Sequence, residues 1–338
     1  MKVSGRVQLD WRHFSEVDES SASSDNFDIR RAYFGVSGKY NKYIGYKFNA
    51  SFDSSTKLDV AWLNLGYFKP AQLLFGQFKT SMSLEERTSS RFLNFTERSY
   101  VNNASLTEGK DKGVMLHGSP KKGINYSLAV VNGYGQNNDT SDAGDDNFKF
   151  IAHIDTDLAT VNKWKNKVFH LGANFATHDL DVSNYMSKVG ISQSTIGKGE
   201  KFFSAATNDA TKTDLTNFGL EAAFASGPYK IQAEYATAEF DSDTNKQDID
   251  AYYIEAGWLI TGENYSKSYK SKSAGGKFDR IKPNSNFNPK NGKGIGAWEL
   301  MAVSYTHLRA HETPEQRVCR RGLGKKKGGG GGGGGGGG

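Results

Sequence analysis

Polar and apolar residues alternate along this chain with a period of two, over stretches long enough to set the secondary structure. Near the start, Lys2, Ser4, Arg6, Gln8 and Asp10 interleave with Val3, Gly5, Val7, Leu9 and Trp11. A strand there has one wet face and one greasy face. In YIGYKFNASFD, Ile44, Tyr46, Phe48, Ala50 and Phe52 oppose Lys47, Asn49, Ser51 and Asp53 in the same way. The pattern recurs at about 26–40, 57–68, 71–80, 111–119, 123–134, 147–158, 166–178, 214–226, 228–240, 249–261 and 295–302, giving 13 predicted strands in all. Many reach ten residues, beyond the usual 5 or 6 of a soluble sheet and close to the ~9–11 that cross a bilayer at a tilt.

The connections differ in length. GYFKPAQ, GSPKKGIN and ASGPYK are tight turns, whereas 81–110, 135–146, 179–213, 241–248 and 262–294 are long and polar. Tight turns at one rim and long loops at the other, with aromatics near strand ends (YFK at 67–69, YGQN at 134–137), predict an all-β, antiparallel transmembrane β-barrel. No linker or repeat divides residues 1–302, so they read as one domain.

Bulk charge misleads. The chain carries 43 Lys plus Arg against 37 Asp plus Glu, a net charge of +6 that would suit an anionic partner. Seven of the cations and two of the acids lie in 303–338, which leaves 36 against 35 in the body and no case for nucleic-acid binding. The sole cysteine, Cys319, lies there too, so the body has no disulfide or thiolate chemistry. Mean hydropathy is −0.63 and no apolar run nears 18 residues, which excludes a membrane-spanning helix but not a barrel of alternating strands. MKVSGRVQLDW contains no apolar signal-peptide core, so the chain reads as mature or as lacking its beginning.

Segment 81–110, SMSLEERTSSRFLNFTERSYVNNASLTEGK, is too long for a turn and mixes Glu85, Glu86, Arg87, Arg91, Glu97 and Arg98 with Phe92, Phe95 and Tyr100. Such a loop needs something to pack against, and inside a barrel it would narrow the pore. Arg30 and Arg31 are adjacent, so only one can point inward from mid-strand unless both lie at the rim. The alternative for this pair is contact with lipid headgroups. DSDTNKQDIDAY begins like a calcium loop, but Lys246 stands at its sixth position and Tyr252 at its twelfth, so it reads as a polar connection. His153, His170 and His178 lack metal-ligand spacing. No G-x-S-x-G, Walker or dinucleotide motif occurs, and neither catalysis nor a cofactor is expected.

GRVQLDW, IRRAYFGVSGKYNKYIGYKF, LFGQFKTSMSLEERTSSRFLNFTERS, KGVMLHGS and the elements LITGENY, KFDRIKP and GAWEL follow one another between Gly5 and Ala302. Together they resemble the phosphate-selective porin O/P family of Gram-negative outer membranes. The resemblance implies a homotrimer of 16-stranded barrels in outer-membrane lipid, passing small anions such as phosphate past an inward loop. It also implies that Arg6, Arg30, Arg31, Asp59, Ser89, Arg98 and Lys282 line the anion path. The cations would attract phosphate through fork-like and point-charge contacts, and the aspartate would tune its release. Glu86 stands where phosphate-selective members carry a constriction lysine, and Gly45 replaces another pore lysine. A reversed charge alters selectivity, so a general or cation-preferring porin is the alternative, and a soluble or surface β-sheet binding module is a further one.

Residues 303–338 break the pattern. VSYTHLRAHET can be encoded by a transposase mosaic end and library adapter, and Gly328–Gly338 by no-signal base calls. This tail is expected to be non-native and disordered, with the change of sequence at Ala302 or Val303. Thirteen strands against 16 would then leave the barrel open at its C-terminal side, with unpaired edges that a bilayer does not tolerate.

Overall fold

The computed structural model describes residues 1–13, 25–53, 55–102, 106–107, 109–137, 147–180, 190–192, 201–204, 212–242, 246–305 and 309–311. Parts of the long connections, residues 243–245 of the calcium-loop look-alike, and most of 303–338 lie outside them.

The expected strands form. They are β1 (Lys2–His13), β2 (Asp25–Tyr40), β3 (Ile44–Ser51), β4 (Lys57–Phe68), β5 (Ala71–Lys79), β6 (Lys110–Lys121), β7 (Ile124–Val131), β8 (Lys149–Asp157) and β9 (Lys167–Leu180). The short pair β10 (Gly190–Ser192) and β11 (Lys201–Ser204) stands apart from the sheet. Then come β12 (Thr213–Ser226), β13 (Tyr229–Ser242), β14 (Lys246–Leu259), β15 (Glu299–Tyr305) and β16 (Arg309–His311). Every pairing is antiparallel, and apart from that of β16 those of the main sheet run in chain order, β1 through β9 and then β12 through β15. Among the described residues the sheet does not close, because β1 and β15 each pair on one side. The expected boundary at Ala302 or Val303 falls inside β15, and β16 adds a short pairing to β14.

Burial follows the alternation, with the usual polarity inverted. On β12 the exposed face carries Phe218, Leu220 and Phe224, while Asn217 and Glu221 are buried on the other. On β8, Phe150 and Ile154 are exposed while His153 and Asp155 are buried. Moving one such large apolar side chain out of water gains about 1.5–3 kcal/mol. A sheet that presents dozens of them outward belongs in hydrocarbon and would aggregate in water. The soluble-module alternative fails on this point.

Two β-bulges re-aim side chains that strict alternation would send outward. Gln8 pairs with Arg31 and Leu9 with Ile29, which leaves Arg30 as the extra residue. Ile29 and Phe34 face out, and the extra residue puts Arg30 and Arg31 both on the inner side. The expectation that only one could face inward from mid-strand is corrected, because a bulge breaks the period. In the same way Asn49 pairs with Val60 and Ala50 with Leu58, so Asp59 is the extra residue and lies buried beside Val60.

The connection from β14 to β15 also needs correcting. Alternation of rims places it with the tight turns, opposite loop 80–109 rather than beside it. Two segments therefore fold inward, from opposite ends.

Candidate functional site

Loop 80–109 crosses the lumen because its apolar residues find apolar patches on the inner wall. Met82 joins Phe78, Met115, Val131 and Ile151, and Leu84 joins Val168, Ala223, Tyr265 and Phe278. Tyr100, Val101 and Leu106 join Leu215, Phe240, Ile249 and Tyr253. Phe92 and Phe95, which suggested this packing in the sequence, are only half-buried. The fold-in is real, but other residues carry it.

Polar anchors fix the loop against β9, β12, β13 and β14. A single turn of helix, α1 (Leu84–Arg87), points its first backbone N–H groups at the Glu234 carboxylate, with Leu84 N at 2.9 Å and Glu85 N at 2.7 Å. Asn174 Nδ2 donates to Met82 O at 2.6 Å, and Asn94 Nδ2 to Glu255 Oε1 at 2.6 Å. The Glu85 carboxylate accepts from Ser99 Oγ at 2.8 Å and Asn102 Nδ2 at 2.6 Å, which closes the loop on itself. Burial and the neighbouring Glu234 carboxylate outweigh those donors and push the Glu85 carboxyl up to about 8.

Arg87 is the deepest anchor. Its guanidinium lies 2.5 Å from Glu221 Oε1 and donates to Ser81 O at 2.8 Å and Gly276 O at 2.9 Å. His153 Nε2 and His170 Nε2 approach the same Glu221 oxygen at 2.9 and 3.0 Å. His153, Asp155 and Glu221 converge closely enough to suggest a metal site. The donor set does not fit a resident ion, because the guanidinium already supplies the positive charge at that point. Gly276 belongs to the other inward segment, so Arg87 joins the two. Gly275 has φ +117°, and a Cβ there would stand 2.6 Å from Arg87 Nε. Only glycine allows this approach.

With the loop held on one side, a space of about 580 Å³ remains between it and the wall of β1 to β5. Ten cationic side chains line that space, against the three acids Asp59, Glu86 and Asp279. Arg6 and Arg31 come from β1 and β2, Lys47 from β3, Lys110 from β6, Arg91 and Arg98 from the loop, and Lys272 and Lys277 from the opposing segment. Arg6 Nη1 donates to Ser90 Oγ across the gap at 2.7 Å, and Arg31 Nη1 to Gln8 Oε1 at 3.0 Å. Asp59 is held by Lys110 Nζ at 2.6 Å and by Asn49 Nδ2 at 2.6 Å. Glu86 lies between Lys79 Nζ at 3.0 Å and Arg98 Nε at 2.9 Å. Burial raises the Glu86 carboxyl, and these two cations outweigh it and hold it below the ordinary carboxylate range. Burial likewise lowers the Lys277 ammonium, against the pull of Asp279.

Of the residues singled out in the sequence, Arg6, Arg31, Asp59, Glu86, Ser89 and Arg98 meet at this space. Arg30 does not line it, because its guanidinium is paired with Glu97 and with Asp10 at 3.4 Å. Lys282 is exposed and away from it, and Lys272 and Lys277 of the same segment stand there instead. Lys47, Lys79, Arg91 and Lys110 were missed as pore candidates. Lys47 was legible on the wet face of its strand. The others need the loop's path.

An apolar exterior, a polar interior and a lumen narrowed by inward segments define a channel protein of the outer-membrane β-barrel class. The chain belongs to the phosphate-selective porin O and P family, whose model matches residues 1–326, and it resides in the bacterial outer membrane. Porin O of Pseudomonas aeruginosa is 28% identical over 340 residues, covering 92% of this chain and 73% of that protein. In-vitro folded OmpT, an outer membrane protein of Vibrio cholerae, is similar at 13% identity and a TM-score of 0.46, covering 90% of this chain and 97% of that one. A refined porin structure is similar at 14% identity and a TM-score of 0.32, covering 77% and 89% of the two chains.

Proposed function

We propose that the protein is a passive, anion-preferring diffusion channel for phosphate and related small anions, and not an enzyme. The observation that carries this reading is the charge of the constricted space, where nine cations besides Arg87, which Glu221 holds, stand against three acids. Two of those acids are neutralised in place, Asp59 by Lys110 and Glu86 by Lys79 and Arg98. Residues 1–302, near-neutral as a whole, thus keep an electropositive path, because cations outnumber acids around this space. Guanidinium and ammonium groups along such a path attract phosphate oxygens, and their spread over several elements lets an ion leave one before it is fully bound by the next.

The cation-preferring alternative rests on Glu86, whose charge is already paired. On the family resemblance we take the working assembly to be a homotrimer, which cross-linking in native membranes tests. Selectivity is tested by reversal potentials across a planar bilayer under a salt gradient, together with phosphate block of the chloride current. Anion permeability above cation permeability and block by phosphate are expected. Equal or greater cation permeability refutes the proposal.

A further inference from the structure

The two rims differ in charge as well as in loop length. Lys39 and Lys42 flank the β2–β3 turn, Lys69 stands in the β4–β5 turn, and Lys121 and Lys122 lie at the β6–β7 turn. Lys163, Lys165 and Lys167 follow on the β8–β9 connection, and all eight are exposed. Among the described residues none of the eight has a carboxylate partner. The one acid on these four connections, Asp157, is buried and accepts from the backbone N–H of Ala159 at 3.2 Å and of Phe169 at 2.9 Å. The opposite rim carries a cross-strand row of acids on its outer face, with Lys246 3.6 Å from Asp241. Asp214 pairs across strands with both Asp179 and Asp241, and all three are exposed.

Aromatic side chains locate the membrane boundary at the lysine-bearing rim. Tyr40 and Phe68 are more than 70% exposed, and Tyr43 stacks on Tyr67 with ring centroids 4.9 Å apart. Trp164, also exposed, stands between Lys163 and Lys165. Exposed Tyr and Trp settle at headgroup depth. Lysines next to them in sequence therefore carry their ammonium groups to the level of lipid phosphates, with the alkyl stems on the apolar side.

We propose that the tight-turn rim binds anionic phospholipid headgroups, such as phosphatidylglycerol, in the periplasm-facing leaflet. Short turns mark that side of an outer-membrane barrel. Four successive connections with unpaired lysines, three of them beside exposed aromatics at headgroup depth, match a lipid leaflet better than a soluble acidic protein, which would meet only the turn tips. The proposal rests on the membrane location and adds to it a leaflet and a headgroup.

The test is fluorescence quenching in bilayers of mixed composition, with Trp11→Phe as background so that no tryptophan of the opposite rim reports. Brominated phosphatidylglycerol is compared with brominated phosphatidylethanolamine, with and without Lys163→Gln, Lys165→Gln and Lys167→Gln around Trp164. Attraction of an anionic headgroup by one interfacial lysine amounts to about fivefold in association. A several-fold preference for the anionic lipid is expected, falling towards parity in the triple variant and at high salt. Equal quenching by the two lipids overturns the proposal and leaves the membrane location standing. Quenching by neither overturns both. A preference abolished by inorganic phosphate but not by chloride of equal ionic strength would assign these lysines to free phosphate and overturn the lipid reading.

Discussion

Replacing Arg87 by Met tests whether a buried ion pair holds the constriction loop in place. The Arg87 side chain is 4% exposed and that of Glu221 is 0%, with 2.5 Å between guanidinium and carboxylate. The methionine covers a similar length of apolar surface, but it leaves Glu221 charged and without its cation. It also removes the donors to Ser81 O and Gly276 O. Breaking one partner of such a pair costs about 3–5 kcal/mol, or roughly 10²- to 5 × 10³-fold in a docking equilibrium. Amide exchange at Leu84 and Glu85, whose N–H groups point at Glu234, reports docking directly. Exchange there is expected to quicken by that factor in R87M while the β12 and β13 amides stay protected. Adding Glu221→Gln removes the stranded charge and keeps an oxygen for His153 and His170, so the double variant should recover more than half of the loss. Unchanged exchange in R87M, or a double variant no better than the single, refutes the latch.

Other consequences can be checked separately. Glu85, held near about 8 when docked and near 4.5 when free, makes docking strongest below pH 4.5 and progressively weaker as pH rises to about 8. Loop exchange should follow that direction and flatten in E85Q. E86Q frees Lys79 and Arg98, and removing one unit charge from the path should tighten phosphate block by about 1–3 kcal/mol in planar-bilayer titrations. Arg98→Ala should weaken that block, with Glu86 left to Lys79 alone. Gly275→Ala should loosen the loop as R87M does, seen as the same rise in exchange at Leu84, because the new methyl takes the space of the guanidinium.

The strands were legible because a bilayer-facing sheet writes its period directly into the chain. The bulges at Arg30 and Asp59 were not, because an extra residue reads locally as a continued alternation and shows only in the partner's register. The inward fold of 80–109 was legible from its mixed composition, though the residues that seat it are Met82, Leu84 and Tyr100 rather than its phenylalanines. The rim assignment of the β14–β15 connection could have been found by counting strands. Its length suggested the wrong side.

Glu86 shows most clearly what sequence cannot supply. As a letter it is a negative charge at a position expected to be positive, and it argues against anion passage. In the fold it sits at 13% side-chain exposure between Lys79 and Arg98, 3.0 and 2.9 Å away. The three groups together present one net positive charge to a passing ion, because the two cations at contact distance outweigh the carboxylate. Its effect is to hold Arg98 against the loop, where Arg98 Nη2 also donates to Thr88 O at 3.1 Å. Selectivity in such a channel follows from which charges remain unpaired along the path. On that count Arg6, Arg31, Lys47 and Arg91 keep the path positive with Glu86 in place, and neutralising residue 86 adds to their pull.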